Sequence, residues 1–191
     1  MKSFEARALY LEKAGSEATD KVLEFVRKYA ERRGVKDLVV ASTTGRTGAK
    51  ASRVFRGYNL VVVSHHHGFQ GLGKTELLKK HKLEILRNGG KIHTGTHALS
   101  GPERSIRRKF DTLGPLELIA HAYRSFGEGT KVCIEIALMA ADAGLIPTNR
   151  DTIAIAGTGR GADTALLLRP ATSSDFFELK VREVVCKPLD F

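Results

Sequence analysis

Short runs of apolar residues, each closed by turn-forming residues, recur along this chain and alternate with segments of helical periodicity. The most regular runs are Leu38–Ala41, Leu60–Val63 and Thr152–Ala156. A run of this kind is typical of a strand that is buried on both faces of a parallel sheet. Residues 16–33, before the first run, carry apolar side chains at helical spacing. The alternation predicts an α/β fold: a three-layer α/β/α sandwich around a mostly parallel sheet.

The remaining elements continue the alternation. Helices are predicted at 47–55, 75–87, 115–126 and 131–143, and strands at 91–94, 164–168 and, as an edge strand, 178–186. Only seven residues separate Ala156 from Thr164. That is too few for a helical crossover, so the sheet is predicted to have an antiparallel last strand. No repeat or linker interrupts the chain, and we expect residues 1–191 to form a single domain.

The composition bears on partners and location. The formal net charge is +10, which favours anionic partners such as phosphorylated metabolites, nucleotides or nucleic acid. Two cysteines without motif spacing, Cys133 and Cys186, indicate a reduced, cytoplasmic protein. The N-terminus has no signal-peptide pattern, and no apolar run approaches the roughly 20 residues that span a bilayer. Scarce Asn and Gln point to a hot-growing source.

The loop after the first apolar run carries the clearest functional signal. Its residues are Ser42, Thr43, Thr44, Gly45, Arg46 and Thr47. They supply four hydroxyls, a glycine that lets the backbone approach a ligand, an arginine, and the free amides of a helix start. One hydroxyl would be enough to cap the helix. The surplus predicts a phosphate-binding loop.

This loop resembles those of two known families. Its Ser-x-Thr-Gly-x-Thr spacing is similar to the flavodoxin loop that holds the phosphate of FMN. More of the chain resembles the C-terminal, effector-binding domain of pyruvate kinase, in which a strand ends in a Thr/Ser-rich Ser-Gly-Arg loop followed by a helix and a Val/Ile-rich strand. Val39–Thr47, Ala49–Arg56 and Leu60–Ser64 occur here in that order, and the resemblance resumes over residues 151–168.

The resemblance implies a stand-alone, archaeal-type relative of that domain. Nothing in the chain resembles the catalytic barrel of pyruvate kinase, so pyruvate kinase activity is not expected. Relatives of this kind are associated with bound FMN, which makes a phosphorylated small molecule, most specifically FMN, the expected ligand. Self-association is expected by analogy, since the kinase domain takes part in subunit contacts.

The same resemblance makes the first and fourth strands neighbours at the point where the strand order reverses, where such sheets bind ligands. The Gly-rich loop after the fourth strand would then close over the ligand, through Gly157, Thr158, Gly159 and Arg160. Asp163 would accept hydrogen bonds from ribityl hydroxyls. Taken alone, the glycine pattern fits a flexible hairpin turn equally well, because it leads into a strand.

Further residues follow other strand ends or open a helix, and they complete the predicted crevice wall: His65, His66, Gly68, Thr94, Thr96, His97, Lys131 and Cys133. The consecutive histidines point in opposite directions on an extended chain and lack a supporting carboxylate arrangement. No metal is therefore predicted. Cys133 lies near a helix start, where a thiol pKa can fall, although a buried inert cysteine is the commoner outcome.

Two alternatives remain open. Residues Gly68–Thr75 match Gly-x4-Gly-Lys-Thr, the signature of an NTPase P-loop. Against this, three histidines separate the strand from the first glycine, and no strand ends in an aspartate suited to magnesium. The second alternative is a nucleic-acid-binding protein that uses Arg104, Arg107, Arg108 and Lys109. No known nucleic-acid motif or interleaved aromatic accompanies them, so nucleic acid is not the expected partner.

Overall fold

The computed structural model describes residue 3 and residues 5–191. Met1, Lys2 and Phe4, which belong to the N-terminal stretch used in the argument against a signal peptide, lie outside the described residues. The strands are β1 (Leu9–Lys13), β2 (Asp37–Ala41), β3 (Asn59–Ser64), β4 (Lys91–Thr94), β5 (Thr152–Ala156), β6 (Thr164–Arg169) and β7 (Lys180–Asp190). The helices are α1 (Thr19–Arg33), α2 (Arg46–Val54), α3 (Lys79–Arg87), α4 (Glu103–Phe110), α5 (Pro115–Arg124) and α6 (Glu128–Asp142), with short 3-10 helices at Ser16–Ala18 and Ser173–Glu178.

The seven strands form one sheet in the order β1-β7-β6-β5-β2-β3-β4. The pairs β5–β2, β2–β3, β3–β4 and β1–β7 are parallel, whereas β6 runs antiparallel to both of its neighbours. This confirms the predicted mostly parallel sheet and the antiparallel turn after Ala156. It also confirms that the first and fourth predicted strands, β2 and β5, are neighbours.

Helices cover both faces of the sheet, which confirms the three-layer sandwich. Alternate residues of each central strand point to opposite faces, and each set packs on a different helical layer. Leu38 and Val40 belong to the core shared with α1, α2 and α3. Val39 belongs to the core on the other side, which is built mainly from α6 with a contribution from α5.

Four details of the predicted elements were wrong. Strand β1 was not predicted at all, and only Leu11 of its residues is buried. The C-terminal strand β7 is not at the edge, because β1 pairs with its outer side. The helix predicted from residue 75 begins at Lys79. The segment predicted as a basic loop contains α4, which has no buried residue and therefore no apolar stripe to reveal it.

Among the described residues, none of the helices has the length and apolar character needed to cross a membrane.

Candidate functional site

The loop between β2 and α2 presents a row of main-chain donors. Within residues 3 and 5–191, no protein acceptor lies in hydrogen-bonding range of the amides of residues 43–47. The first amides of a helix have no partner inside the helix and carry the positive end of its dipole. Successive free amides in such a turn form a concave surface that suits the oxygens of a phosphate.

Ser42 has a structural task in this loop. Its Oγ accepts a hydrogen bond of 3.0 Å from the amide of Gly48, and its own amide donates to the carbonyl of Val63 over 2.9 Å. The oxygen therefore caps α2, as the simpler interpretation of the sequence proposed. The hydroxyl proton remains available to a ligand. The other hydroxyls of the loop, on Thr43, Thr44 and Thr47, serve no such cap.

Gly45 shapes the turn. Its φ of +84° lies in the left-handed region, and a Cβ there would come within 2.7 Å of His81 and of Leu77. The preceding carbonyl, of Thr44, accepts hydrogen bonds from the amide of Leu78 and from Nδ1 of His81, at 3.2 and 2.9 Å. The loop is thus held on one side by Leu78 and by His81 at the start of α3, and its other side is free of these contacts.

That side is a cavity of about 640 Å³ at the carboxyl edge of the sheet. Its volume lies within the roughly 300–1,000 Å³ of typical small-molecule sites. The structure brings eleven of the predicted site residues to its wall: Ser42, Thr43, Thr44, Arg46, Thr47, His65, His97, Lys131, Gly157, Gly159 and Arg160. The β2–α2 and β5–β6 loops therefore face one another across a single space.

Seven predicted site residues lie outside this lining: Gly45, His66, Gly68, Thr94, Thr96, Cys133 and Thr158. Thr94 instead bonds through its hydroxyl to that of Ser64, at 2.7 Å, which ties the ends of β3 and β4 together. Gly45 and Thr158 act within their loops as backbone.

Cys133 corrects the sequence interpretation most clearly. Its side chain is fully buried, and its Sγ donates to the carbonyl of Ala154 in β5 over 3.3 Å. Burial raises the pKa of the thiol well above its ordinary value. The helix explains the placement: Lys131 and Glu135, four residues apart, face the cavity, and the position midway between them faces the sheet.

Asp163 also differs from its predicted role. It is fully buried, with Oδ2 accepting from the amides of Gly15 and Thr158 at 3.1 and 2.9 Å, and Oδ1 accepting from the hydroxyl of Thr164 at 2.7 Å. Its carboxylate orders the Gly-rich loop and does not face a ligand. Gly161, at φ +79°, lets the same loop touch the 3-10 helix, since a Cβ there would lie 2.5 Å from the Cα of Ser16.

The sequence missed an aromatic wall. Phe69 stacks on the imidazole of His65 with ring centroids 4.0 Å apart, and its centroid lies 5.2 Å from that of His97. The guanidinium of Arg104 lies 4.6 Å from the centroid of the same phenyl ring. His65, Phe69, His97 and Arg104 all line the cavity. Only folding brings them together, because they come from three separate segments of the chain.

The two histidines of this wall have different surroundings. Nδ1 of His65 lies 2.7 Å from a carboxylate oxygen of Glu76, and Nε2 faces the hydroxyl of Thr43 at 3.4 Å. Burial lowers the pKa of His97 to about 4, although the nearby carboxylate of Glu135 acts in the opposite direction. His97 is therefore neutral near pH 7.

A buried ion pair forms part of the cavity floor. Nζ of Lys131 lies 2.6 Å from Oε2 of Glu135, and both side chains are almost wholly buried. Oε1 of Glu135 accepts a hydrogen bond of 3.1 Å from the amide of Leu99. Arg124 and Glu128 make a second pair, at 2.5 Å, along the same wall.

The charges around the cavity favour an anion. Six cationic residues line it, against two carboxylates: Arg46, Lys50, Arg104, Arg124, Lys131 and Arg160 face Glu128 and Glu135. Lys50 is paired with Asp20, outside the lining. Among the described residues, Arg46 and Arg160 make no ion pair. Both belong to the loops that the sequence assigned to the phosphate and its cover.

The Gly68–Thr75 segment does not have P-loop geometry. Its amides are used internally: Gly68 donates to the carbonyl of Lys74, and Lys74 to that of Gly71, at 2.8 and 3.1 Å. The next helix begins only at Lys79, whereas a P-loop lysine lies at the helix start. Of this segment, Phe69 lines the cavity.

The basic segment 104–109 is divided between two surroundings. Arg104 turns towards the cavity, whereas Arg107 pairs with Glu117 of α5 at 2.8 Å.

Within the described part of the chain, no group of three or more His, Cys, Asp or Glu side chains is placed to hold a metal ion.

The family of the chain follows from comparison with known proteins. The sequence model of the pyruvate kinase alpha/beta domain matches residues 20–168. This chain belongs to the pyruvate kinase alpha/beta domain family. In pyruvate kinases this domain binds effectors. The match contains both loops of the cavity but leaves out β1, the first 3-10 helix and β7.

Among solved structures, the chain is similar to the Cryptosporidium parvum pyruvate kinase in complex with ADP. The identity is 13% and the TM-score is 0.42, and the alignment covers 81% of this chain. It covers 24% of that enzyme, so the chain spans about a quarter of its length.

Proposed function

We propose that this pyruvate kinase alpha/beta domain binds flavin mononucleotide in the cavity, with the phosphate on residues 42–47. The observation that carries the proposal is the row of free amides at the start of α2, on the wall of a cavity with a cationic lining. The membership of a family whose kinase representatives bind effectors supports a phosphorylated ligand. The flavin is the more specific part of the proposal.

The residues present fit such a ligand. The phosphate would receive hydrogen bonds from the loop amides and charge from Arg46 and Arg160. The cavity extends from there to Phe69, whose ring adds apolar surface for a planar ring system. The cavity volume of about 640 Å³ suits a small molecule with an anionic group. A bound flavin would supply one- and two-electron redox chemistry.

The test begins with the purified protein. Its absorbance spectrum, together with mass spectrometry of any molecule released on denaturation, identifies a retained ligand. Apoprotein is then titrated with FMN and with riboflavin, which lacks the phosphate. We expect FMN to bind at least about tenfold more tightly, because charge-assisted hydrogen bonds to the phosphate are worth roughly 1.5–3 kcal/mol each.

A colourless protein that binds no added FMN would overturn the flavin part of the proposal. The phosphate part has a separate readout, since inorganic phosphate should protect the protein against thermal unfolding. Self-association, a cytoplasmic location and a hot-growing source stay predictions. Size-exclusion chromatography with light scattering tests the first of them.

A further inference from the structure

The floor of the cavity, formed by α6, contains charged groups that the proposed phosphate site does not use. Lys131 and Glu135 are 5% and 4% exposed, yet both border the cavity. Their i,i+4 spacing places them on one face of α6, with Nζ and Oε2 2.6 Å apart. The small exposed fraction of the Lys131 and Glu135 side chains therefore faces the cavity.

A buried ion pair is a costly way to hold a helix in place. Desolvation of the two charges consumes much of their attraction, and apolar replacements of similar volume are often as stable. The pair is also incompletely satisfied: apart from Glu135, no acceptor in the described part of the chain is bonded to the three-proton ammonium of Lys131. The unused donors and the second lone pair of Oε2 are positioned for a ligand.

His97 completes the group. Its ring borders the cavity, and neither ring nitrogen has a hydrogen-bond partner among the described residues. The amide of Leu99, two residues after His97, donates to Oε1 of Glu135 over 3.1 Å, and His97, Lys131 and Glu135 all line the same cavity. As a neutral ring, His97 offers one N–H donor and one acceptor.

We infer that Lys131, Glu135 and His97 form a second subsite, which recognises the imide edge of a ring in the bound phosphorylated ligand. An imide presents a carbonyl, an N–H and a second carbonyl in a row. The ammonium of Lys131 and the N–H of His97 donate to the two carbonyl oxygens, and the carboxylate of Glu135 accepts from the N–H between them. FMN and uridine nucleotides carry such an edge. This inference rests on the proposed phosphate site, which fixes the other end of the ligand.

The subsite gives selectivity against rings of other patterns. Adenine presents an amino donor beside a ring-nitrogen acceptor and has no carbonyl, so at least one of the buried donors, on Lys131 or His97, would lose its partner. Leaving a buried polar group unpaired costs about 1–3 kcal/mol, which is roughly tenfold or more in affinity. The same logic lets a polar pocket reject an analogue that lacks one group.

The experiment measures dissociation constants by calorimetry for FMN, UMP, AMP and inorganic phosphate. The proteins are the wild type, Lys131→Met and His97→Phe, with Lys82→Met on the exposed side of α3 as a control for the loss of one charge. We expect UMP to bind the wild type at least about tenfold more tightly than AMP. Lys131→Met should remove most of that preference, because it weakens the binding of UMP more than that of AMP or phosphate.

Lys131→Met leaves the carboxylate of Glu135 buried without its partner and can impair folding. The double variant Lys131→Met/Glu135→Leu removes both charges together, and urea unfolding checks each protein before titration. N3-methylated FMN gives an independent readout on the wild type. The methyl group blocks the central N–H, and we expect about a tenfold loss relative to FMN.

The outcomes separate this inference from the proposed function. FMN binding with equal affinity for UMP and AMP, or with discrimination that survives in both Lys131 variants, would overturn the imide subsite alone. Failure of FMN to bind, together with a Lys131-dependent preference for UMP, would overturn the flavin and support the subsite. If none of the four ligands binds the wild type, both are wrong.

Discussion

A Cβ placed on Gly45 would lie 2.7 Å from the Cβ of His81, so the β2–α2 loop packs tightly against the first turn of α3. We predict that Gly45→Ala destabilises the protein by roughly 2–5 kcal/mol, because left-handed strain of about 1–2 kcal/mol adds to overpacking of about 1–3 kcal/mol. Urea unfolding measures the loss.

Gly34→Ala is the matched control for this substitution. Gly34 also has a positive φ, +66°, but among the described residues no atom lies within 4 Å of the point that its Cβ would occupy. Gly34→Ala should therefore lower the free energy of unfolding only by the left-handed backbone strain, without an overpacking contribution. Equal losses at the two positions would show that the contact with His81 contributes nothing.

The positive charges at the phosphate end should govern affinity. We predict that Arg46→Ala and Arg160→Ala each weaken FMN binding by about tenfold, the equivalent of one charge-assisted hydrogen bond. Lys74→Ala is the control, since Lys74 lies in the motif that resembles a P-loop and outside the cavity lining. A Lys74→Ala protein that lost binding of FMN or ATP would favour the NTPase alternative instead. Fluorescence titration distinguishes these results.

Stability should fall at acidic pH because of His97. The folded-state pKa of about 4 lies below the ordinary value, so the unfolded chain takes up a proton first as the pH falls. The contribution of His97 to the free energy of unfolding is fully present above about pH 6.5. It is lost progressively down to about pH 4, by an amount on the order of 1–3 kcal/mol.

His97→Phe keeps a ring in place without the titration. We expect the difference in unfolding free energy between this variant and the wild type to change with pH across that window. His93, whose pKa is also lowered by burial, is present in both proteins and cancels. A difference that is independent of pH would contradict the assignment to His97.

Both thiols should be inert in the native protein. Burial raises the pKa of Cys133 well above its ordinary value and that of Cys186 to about 12, so little thiolate exists at about pH 8. An aromatic disulfide reagent should modify neither cysteine until guanidinium is added, and both thereafter. Rapid reaction of Cys133 in the native state would restore its predicted place in the crevice wall.

The elements that were predicted correctly have a burial pattern visible in the sequence, either a continuous apolar run or an apolar stripe at helical spacing. β2, β3 and β5 are apolar on both faces, and the helix before β2 has a clear apolar stripe, so each was recognised without neighbours. β1 and α4 were missed for the opposite reason, since one places a single residue in the core and the other none. The position of β1 is decided by its pairing with the distant strand β7, which one sequence does not reveal.

The site shows the same division. The free amides at the start of α2 follow from a local loop pattern and were anticipated. Phe69 and Arg104 meet only after folding, and Asp163 was misassigned because the amide of Gly15, its partner, is 148 residues away in the chain. Cys133 was misassigned because residues two positions apart lie on nearly opposite faces of a helix. Lys131 and Glu135 line the cavity, so Cys133 between them faces the sheet.

The hydrogen bond from the amide of Gly15 to Asp163 links the segment after β1 to the Gly-rich loop that lines the cavity. β1 lies at the sheet edge, held by β7, and the residues after it support the Gly-rich loop. A molecule that needs this loop in place would bind the protein with β1 docked in preference to one with β1 detached. Its binding would therefore slow proteolysis near residue 9, far from any atom that it touches. Cleavage at the N-terminal strand becomes a reporter of occupancy, readable on a gel without knowledge of the ligand's chemistry.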